Sequence, residues 1–117
     1  MKKIYYLSTC NTCKRIMNSL NFDESFARQD LKQEGISAQE LDELAGIVGS
    51  YEALFSRVAR KYRALGLHEQ TLSEADYKRY ILQEYTFLKR PLVRIDEEVF
   101  VGSSKKNIAA LEQALST

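Results

Sequence analysis

Cys10 and Cys13 are the only cysteines in this chain, and they stand three residues apart between the apolar run Ile4-Tyr5-Tyr6-Leu7 and a helical pattern. From Cys13 the apolar residues recur at Ile16, Met17 and Leu20, the spacing of a helix with one buried face. The pattern predicts a strand over 4–7, buried on both faces because it is continuously apolar, and a helix from about 11 to 20. Cys10 therefore sits where a strand hands over to a helix, beside unpaired amides and the positive end of the helix dipole. Lys14 and Arg15 add positive charge nearby. Such surroundings lower a cysteine pKa from about 8.5 into a range of roughly 3.5 to 7.5, which makes Cys10 the candidate nucleophile. Cys13 lies one helical turn further on, where it can attack a sulfur carried by Cys10 as a resolving thiol. It also fits the apolar stripe as a small core residue. A zinc site usually needs four ligands, and the chain offers two cysteines and a lone His68, so no metal is expected. His68 follows a helix end and is expected to be exposed or capping.

With 117 residues the chain is long enough for one domain with a proper core, and a single domain is expected. Its 44% hydrophobic and 28% charged residues are those of a soluble globular protein. A formal net charge of +1 gives no electrostatic reason for nucleic-acid or membrane binding. The basic start Met1-Lys2-Lys3 is followed by an apolar run that breaks off at Ser8-Thr9, too short for a signal peptide. A cytoplasmic location is expected, where a Cys-x-x-Cys is catalytic or redox-sensing rather than a permanent staple.

Further along, Ser25 to Gln29 is a candidate second strand. Ser37-Ala38-Gln39-Glu40 is a capping box that opens a helix through Leu41, Leu44, Ala45 and Val48, and Gly49 suits its left-handed C-terminal position. Leu54, Val58, Tyr62 and Leu65 predict a third helix, ringed by Arg57, Arg60, Lys61 and Arg63 and stopped by Gly66. Ser73-Glu74-Ala75-Asp76 starts another, with Tyr77, Tyr80, Ile81 and Leu88 on its inner side. Pro91, the only proline, pushes Arg90 toward an extended conformation and ends the helical region. Leu92–Ile95 and Glu98–Val101 read as a hairpin around Asp96-Glu97, and a last helix follows Gly102-Ser103-Ser104 with Ile108, Leu111 and Leu115 inward.

This order resembles the thioredoxin fold, an α/β architecture with a mixed β-sheet, here carrying a helical insertion at about 37–88. Three segments resemble the arsenate reductase/Spx family: Tyr5 to Arg15 with its Cys-x-x-Cys, Leu54 to Leu67 ending Tyr62-Arg63-Ala64-Leu65-Gly66-Leu67, and Lys89-Arg90-Pro91-Leu92-Val93. The resemblance implies a thiol-dependent oxidoreductase in which Arg90, before a cis Pro91, faces the nucleophile Cys10, with Cys13 resolving. A guanidinium so aimed stabilises the thiolate and offers a planar fork to an oxyanion. Anion-binding roles are expected for Asn11, Thr12 and Lys14 beside Cys10, and for Arg57. The arsenate-reducing members carry three arginines around the anion. Arg90 matches one of them, Arg57 lies near the second place, and Val101-Gly102-Ser103, followed by Lys105 and Lys106, stands near the third. The resemblance implies no bound cofactor, and glutathione, glutaredoxin or thioredoxin as electron donor. It also implies an alternative, a Spx-type redox-sensing transcription regulator that binds the RNA polymerase α subunit. A monomer is expected.

Overall fold

The computed structural model describes residues 1–116. The chain folds into two compact units, one of residues 1–34 with 90–117 and the other of residues 35–89.

In the first unit, β1 (Lys2–Tyr6) pairs in parallel with β2 (Ala27–Asp30) and antiparallel with β3 (Leu92–Ile95), and β3 pairs antiparallel with β4 (Glu98–Val101). The result is a mixed α/β sheet in the order β2-β1-β3-β4, a thioredoxin-like arrangement. Burial of both Ile4 and Tyr5, neighbours that point to opposite faces, explains the continuous apolar run of β1. Ile4 meets Phe26, Val93, Phe100 and Leu111 in one core cluster, and Met17 and Leu20 of α1 (Asn11–Ser19) pack against it. Leu111 is the buried anchor of the closing helix, which spans Lys105–Leu115, while Ile108 and Leu115 are half-buried. The second strand begins two residues later than its composition suggests. Asp23 explains the delay, because its carboxylate accepts the Ser25 main-chain N–H (2.8 Å) and hydroxyl and holds Ser25 in a turn.

The second unit is built on α2 (Ala38–Val48) and the helix Glu74–Gln83. Both begin on reciprocal capping boxes, Ser37 with Glu40 and Ser73 with Asp76, and Gly49 ends α2 at φ 103°. Tyr51 and Lys78 both reach Asp42, at 2.5 and 2.9 Å, and so tie the two helices together. Replacing Ser37 with alanine leaves the Glu40 amide without its cap, and is expected to cost about 1 kcal/mol. Urea denaturation of the whole chain, read by circular dichroism, checks this.

The third helix expected from Leu54, Val58, Tyr62 and Leu65 does not form as a continuous stripe. A 3-10 turn at Glu52–Leu54 gives way to extended backbone at Phe55, which bridges Leu88, and the Ser56 N–H donates to the Phe87 carbonyl at 2.7 Å. The Phe55 ring stacks on Phe87 at 5.0 Å. Only Arg60–Ala64, α3, is helical, which leaves Val58 94% and Leu65 54% exposed. The long-range pairing of a buried aromatic overrides the helical spacing. Leu88 is likewise buried in that bridge rather than on α4 (Glu74–Gln83), since the chain turns extended at Glu84. No helix among the described residues is long and apolar enough to cross a membrane.

Candidate functional site

Cys10 is the N-cap of α1, in an extended conformation at φ −93° and ψ 114°. Its N–H closes a turn on the Leu7 carbonyl (3.0 Å), and its own carbonyl accepts the Lys14 N–H (3.1 Å) to start the helix. Both cysteines are free thiols; Cys10 is half-buried and Cys13 fully buried, at 0% exposure.

Burial taken alone would raise the Cys10 pKa, since a thiolate loses hydration there. The main-chain N–H of Cys13, its thiol, the positive charge of Arg90 and the Thr12 N–H outweigh that penalty and lower it. The sulfur thus stands at the N-terminus of α1, beside the main-chain groups of the first turn. Cys13 goes the opposite way and is pushed up to about 11, first by burial, against which the Leu7 main chain works, and then by its hydrogen bond to Cys10 and the charge there. Two thiols three residues apart are therefore shifted in opposite directions, Cys10 down and Cys13 up.

Arg90 comes from the far end of the chain. β3 runs antiparallel to β1 with Tyr5 opposite Leu92, so Arg90 enters at the end of the sheet where β1 leads to the Cys10 turn, and its charge acts on both thiols. The Arg90–Pro91 peptide is cis, and the Pro91 carbonyl accepts the Gly102 N–H at 2.9 Å. Gly102 has φ 86°, a conformation that favours glycine, and its carbonyl accepts the Asn107 side-chain amide at 2.8 Å. The Arg90 Nε atom is withdrawn from solvent.

The other expected site residues are distributed differently. The Thr12 main chain helps to lower the Cys10 pKa, while Asn11, Lys14 and Arg15 are exposed on α1. Arg57 belongs to the second unit, where its guanidinium engages Glu52 and the Tyr77 hydroxyl (3.1 Å). Lys105 and Lys106 lie exposed in the first turn of α5 (Lys105–Leu115). His68 stands 3.8 Å from Glu69. Spacing gives no warning of Asp30, whose carboxylate binds the Ser8 N–H in the turn before Cys10. The signal is visible only as an aspartate closing a short strand.

The sequence model of the ArsC family matches residues 5–111. The protein YffB has the same fold, with a TM-score of 0.77, 21% identity and coverage of 96% of this chain and 99% of that one. An arsenate reductase (ArsC) related protein from Brucella melitensis aligns at TM-score 0.72 and 26% identity over 93% of this chain and 92% of its own. A Staphylococcus aureus COL protein aligns at 0.75 and 25% over 94% and 97%. No curated protein matches the sequence.

Proposed function

This chain belongs to the ArsC family of thiol-dependent redox proteins, and from that premise we propose that it is a reductase of the arsenate reductase type working through a Cys10–Cys13 disulfide. The observation that carries the reading is the opposed polarisation of the two thiols, Cys10 lowered and Cys13 raised to about 11. In the proposed cycle the Cys10 thiolate attacks the oxidised centre of an oxyanion, forming a bond from sulfur to that centre, and an oxygen leaves as water after taking up protons. Arg90 holds the anion and stabilises the thiolate before attack.

Attack then prepares the second step. Once the Cys10 sulfur is bonded it no longer carries charge, and the hydrogen bond and repulsion from Cys10 that hold the Cys13 proton both disappear. The Arg90 charge now favours ionisation of Cys13. The Cys13 thiolate attacks the Cys10 sulfur, the sulfur–centre bond breaks, and the centre departs reduced with that electron pair. A thiol donor, glutathione, glutaredoxin or thioredoxin, then reduces the disulfide by exchange.

Turnover of arsenate with each donor in turn tests the cycle, together with mass spectrometry of the protein after arsenate alone and after arsenate with glutathione. Wild-type protein is expected to lose two hydrogens as the disulfide closes, and Cys13→Ser to stop at a mixed disulfide on Cys10 when glutathione is the donor. Disulfide closure with peroxide, no arsenate turnover, and capture of the RNA polymerase α subunit would replace this reading with a redox-switched regulator. Absence of the disulfide under every oxidant would remove both.

A further inference from the structure

Asp30 is the last residue of β2 and lies opposite Tyr6, the last residue of β1, in the parallel register. The ladder continues one step beyond, where the Leu31 N–H donates to the Tyr6 carbonyl at 2.8 Å. The Asp30 carbonyl accepts the N–H groups of Gln33 (3.0 Å) and Glu34 (2.9 Å), so its main chain is held on both sides. From this fixed base Oδ1 accepts the Lys32 N–H and, across the strand ends, the Ser8 N–H, both at 3.1 Å. Hydrogen bonding from Ser8, side chain first, holds the Asp30 carboxyl below the usual carboxylate range. Ser8 lies inside the turn that Cys10 closes on Leu7.

We propose that Asp30 is a positioning residue for Cys10: its carboxylate clamps Ser8 and thereby fixes the turn that seats the nucleophilic sulfur at the N-terminus of α1. The proposal rests on the reading of Cys10 as nucleophile. The field at a helix N-terminus falls off within its first turn, so a loosened turn that lets the sulfur drift weakens an interaction that favours the thiolate. The sign distinguishes this role from simple charge. A carboxylate acting through space disfavours a nearby thiolate, so deleting it would lower the Cys10 pKa, whereas deleting a clamp raises it.

The test compares Asp30→Ala, Asp30→Asn and Ser8→Ala, all on Cys13→Ser so that Cys10 is the sole thiol, by following the alkylation rate with iodoacetamide across pH. The titrating thiol faces Arg90 and the hydroxyl at position 13, which are the same in every variant. Asp30→Ala is expected to raise the Cys10 midpoint by about one pH unit, slowing alkylation at neutral pH by up to about tenfold. Ser8→Ala, which keeps the main-chain bond, is expected to raise it by less. Asp30→Asn, which keeps an acceptor in place of Oδ1, is expected to fall between Asp30→Ala and the parent. Midpoints unchanged or lowered in Asp30→Ala and Ser8→Ala overturn the clamp. If Asp30→Ala fails to fold, Asp30→Asn decides by the same criterion, since loss of a through-space charge lowers the midpoint and a weakened clamp raises it. A parent protein whose Cys10 titrates at or above the ordinary thiol range instead refutes Cys10 as the activated nucleophile.

Discussion

Replacing Cys10 with serine is expected to slow alkylation of the protein at pH 7 by about a hundredfold or more and to abolish reductase turnover. The magnitude follows from the thiol that remains. Burial, the first cause of the rise of Cys13 to about 11, remains in Cys10→Ser, so its thiol stays almost wholly protonated at pH 7. A more basic thiolate is intrinsically the better nucleophile, which recovers about half of that deficit on a logarithmic scale. Full burial of Cys13 then removes access on top of that deficit. Cys13→Ser should keep the fast thiol and lose only disulfide closure. The same variants test the linkage of ionisation to folding. A thiol whose pKa is lowered on folding adds stability as pH rises from its folded value to the ordinary thiol value, and loses it as pH falls back through the folded value. Reduced wild type should therefore gain stability across that window relative to Cys10→Ser. Iodoacetamide kinetics by mass spectrometry and urea midpoints against pH measure the two effects, and equal alkylation rates in the two single-cysteine variants would reject the assignment.

Arg90→Ala is expected to raise the Cys10 pKa by about one unit, the low end of the one to three units typical of a close opposite charge. The low end is indicated because the Cys13 amide and thiol both act on Cys10 more strongly than the Arg90 charge does. An exposed ion pair would contribute about 0 to 1 kcal/mol, whereas Arg90 is half-buried with its Nε out of water, so its field is less screened. Turnover should fall further than the pKa alone dictates, since the fork that would hold an oxyanion is lost too. Arg90→Lys separates the two contributions, restoring most of the pKa and little of the oxyanion affinity. Arg57→Ala should leave the thiol titration unchanged, because that guanidinium is occupied by Glu52 and Tyr77. Thiolate absorbance against pH in the Cys13→Ser background reads both, and a larger shift from Arg57→Ala than from Arg90→Ala would reverse the ranking.

What the sequence determines here is whatever acts over four residues or fewer. Cys10 at the strand-to-helix junction, the capping boxes at Ser37 and Ser73, the left-handed Gly49 and the hairpin around Asp96 are each set by neighbours along the chain, and each is legible from spacing. The segment from 51 to 66 shows where that logic ends. Leu54, Val58, Tyr62 and Leu65 have helical spacing, yet Phe55 gains more by pairing with Leu88 and stacking on Phe87, over thirty residues away, and the stripe is broken. The site divides the same way. The two thiols and their order come from local position, while the charge that acts on them arrives through the β1–β3 register and the clamp at Ser8 through the β1–β2 register. A strand register is a free-energy choice made by side chains far apart in the chain. It is therefore the tertiary structure that selects Arg90 from seventeen basic residues to act on Cys10, and Asp30 from sixteen acidic ones to hold Ser8.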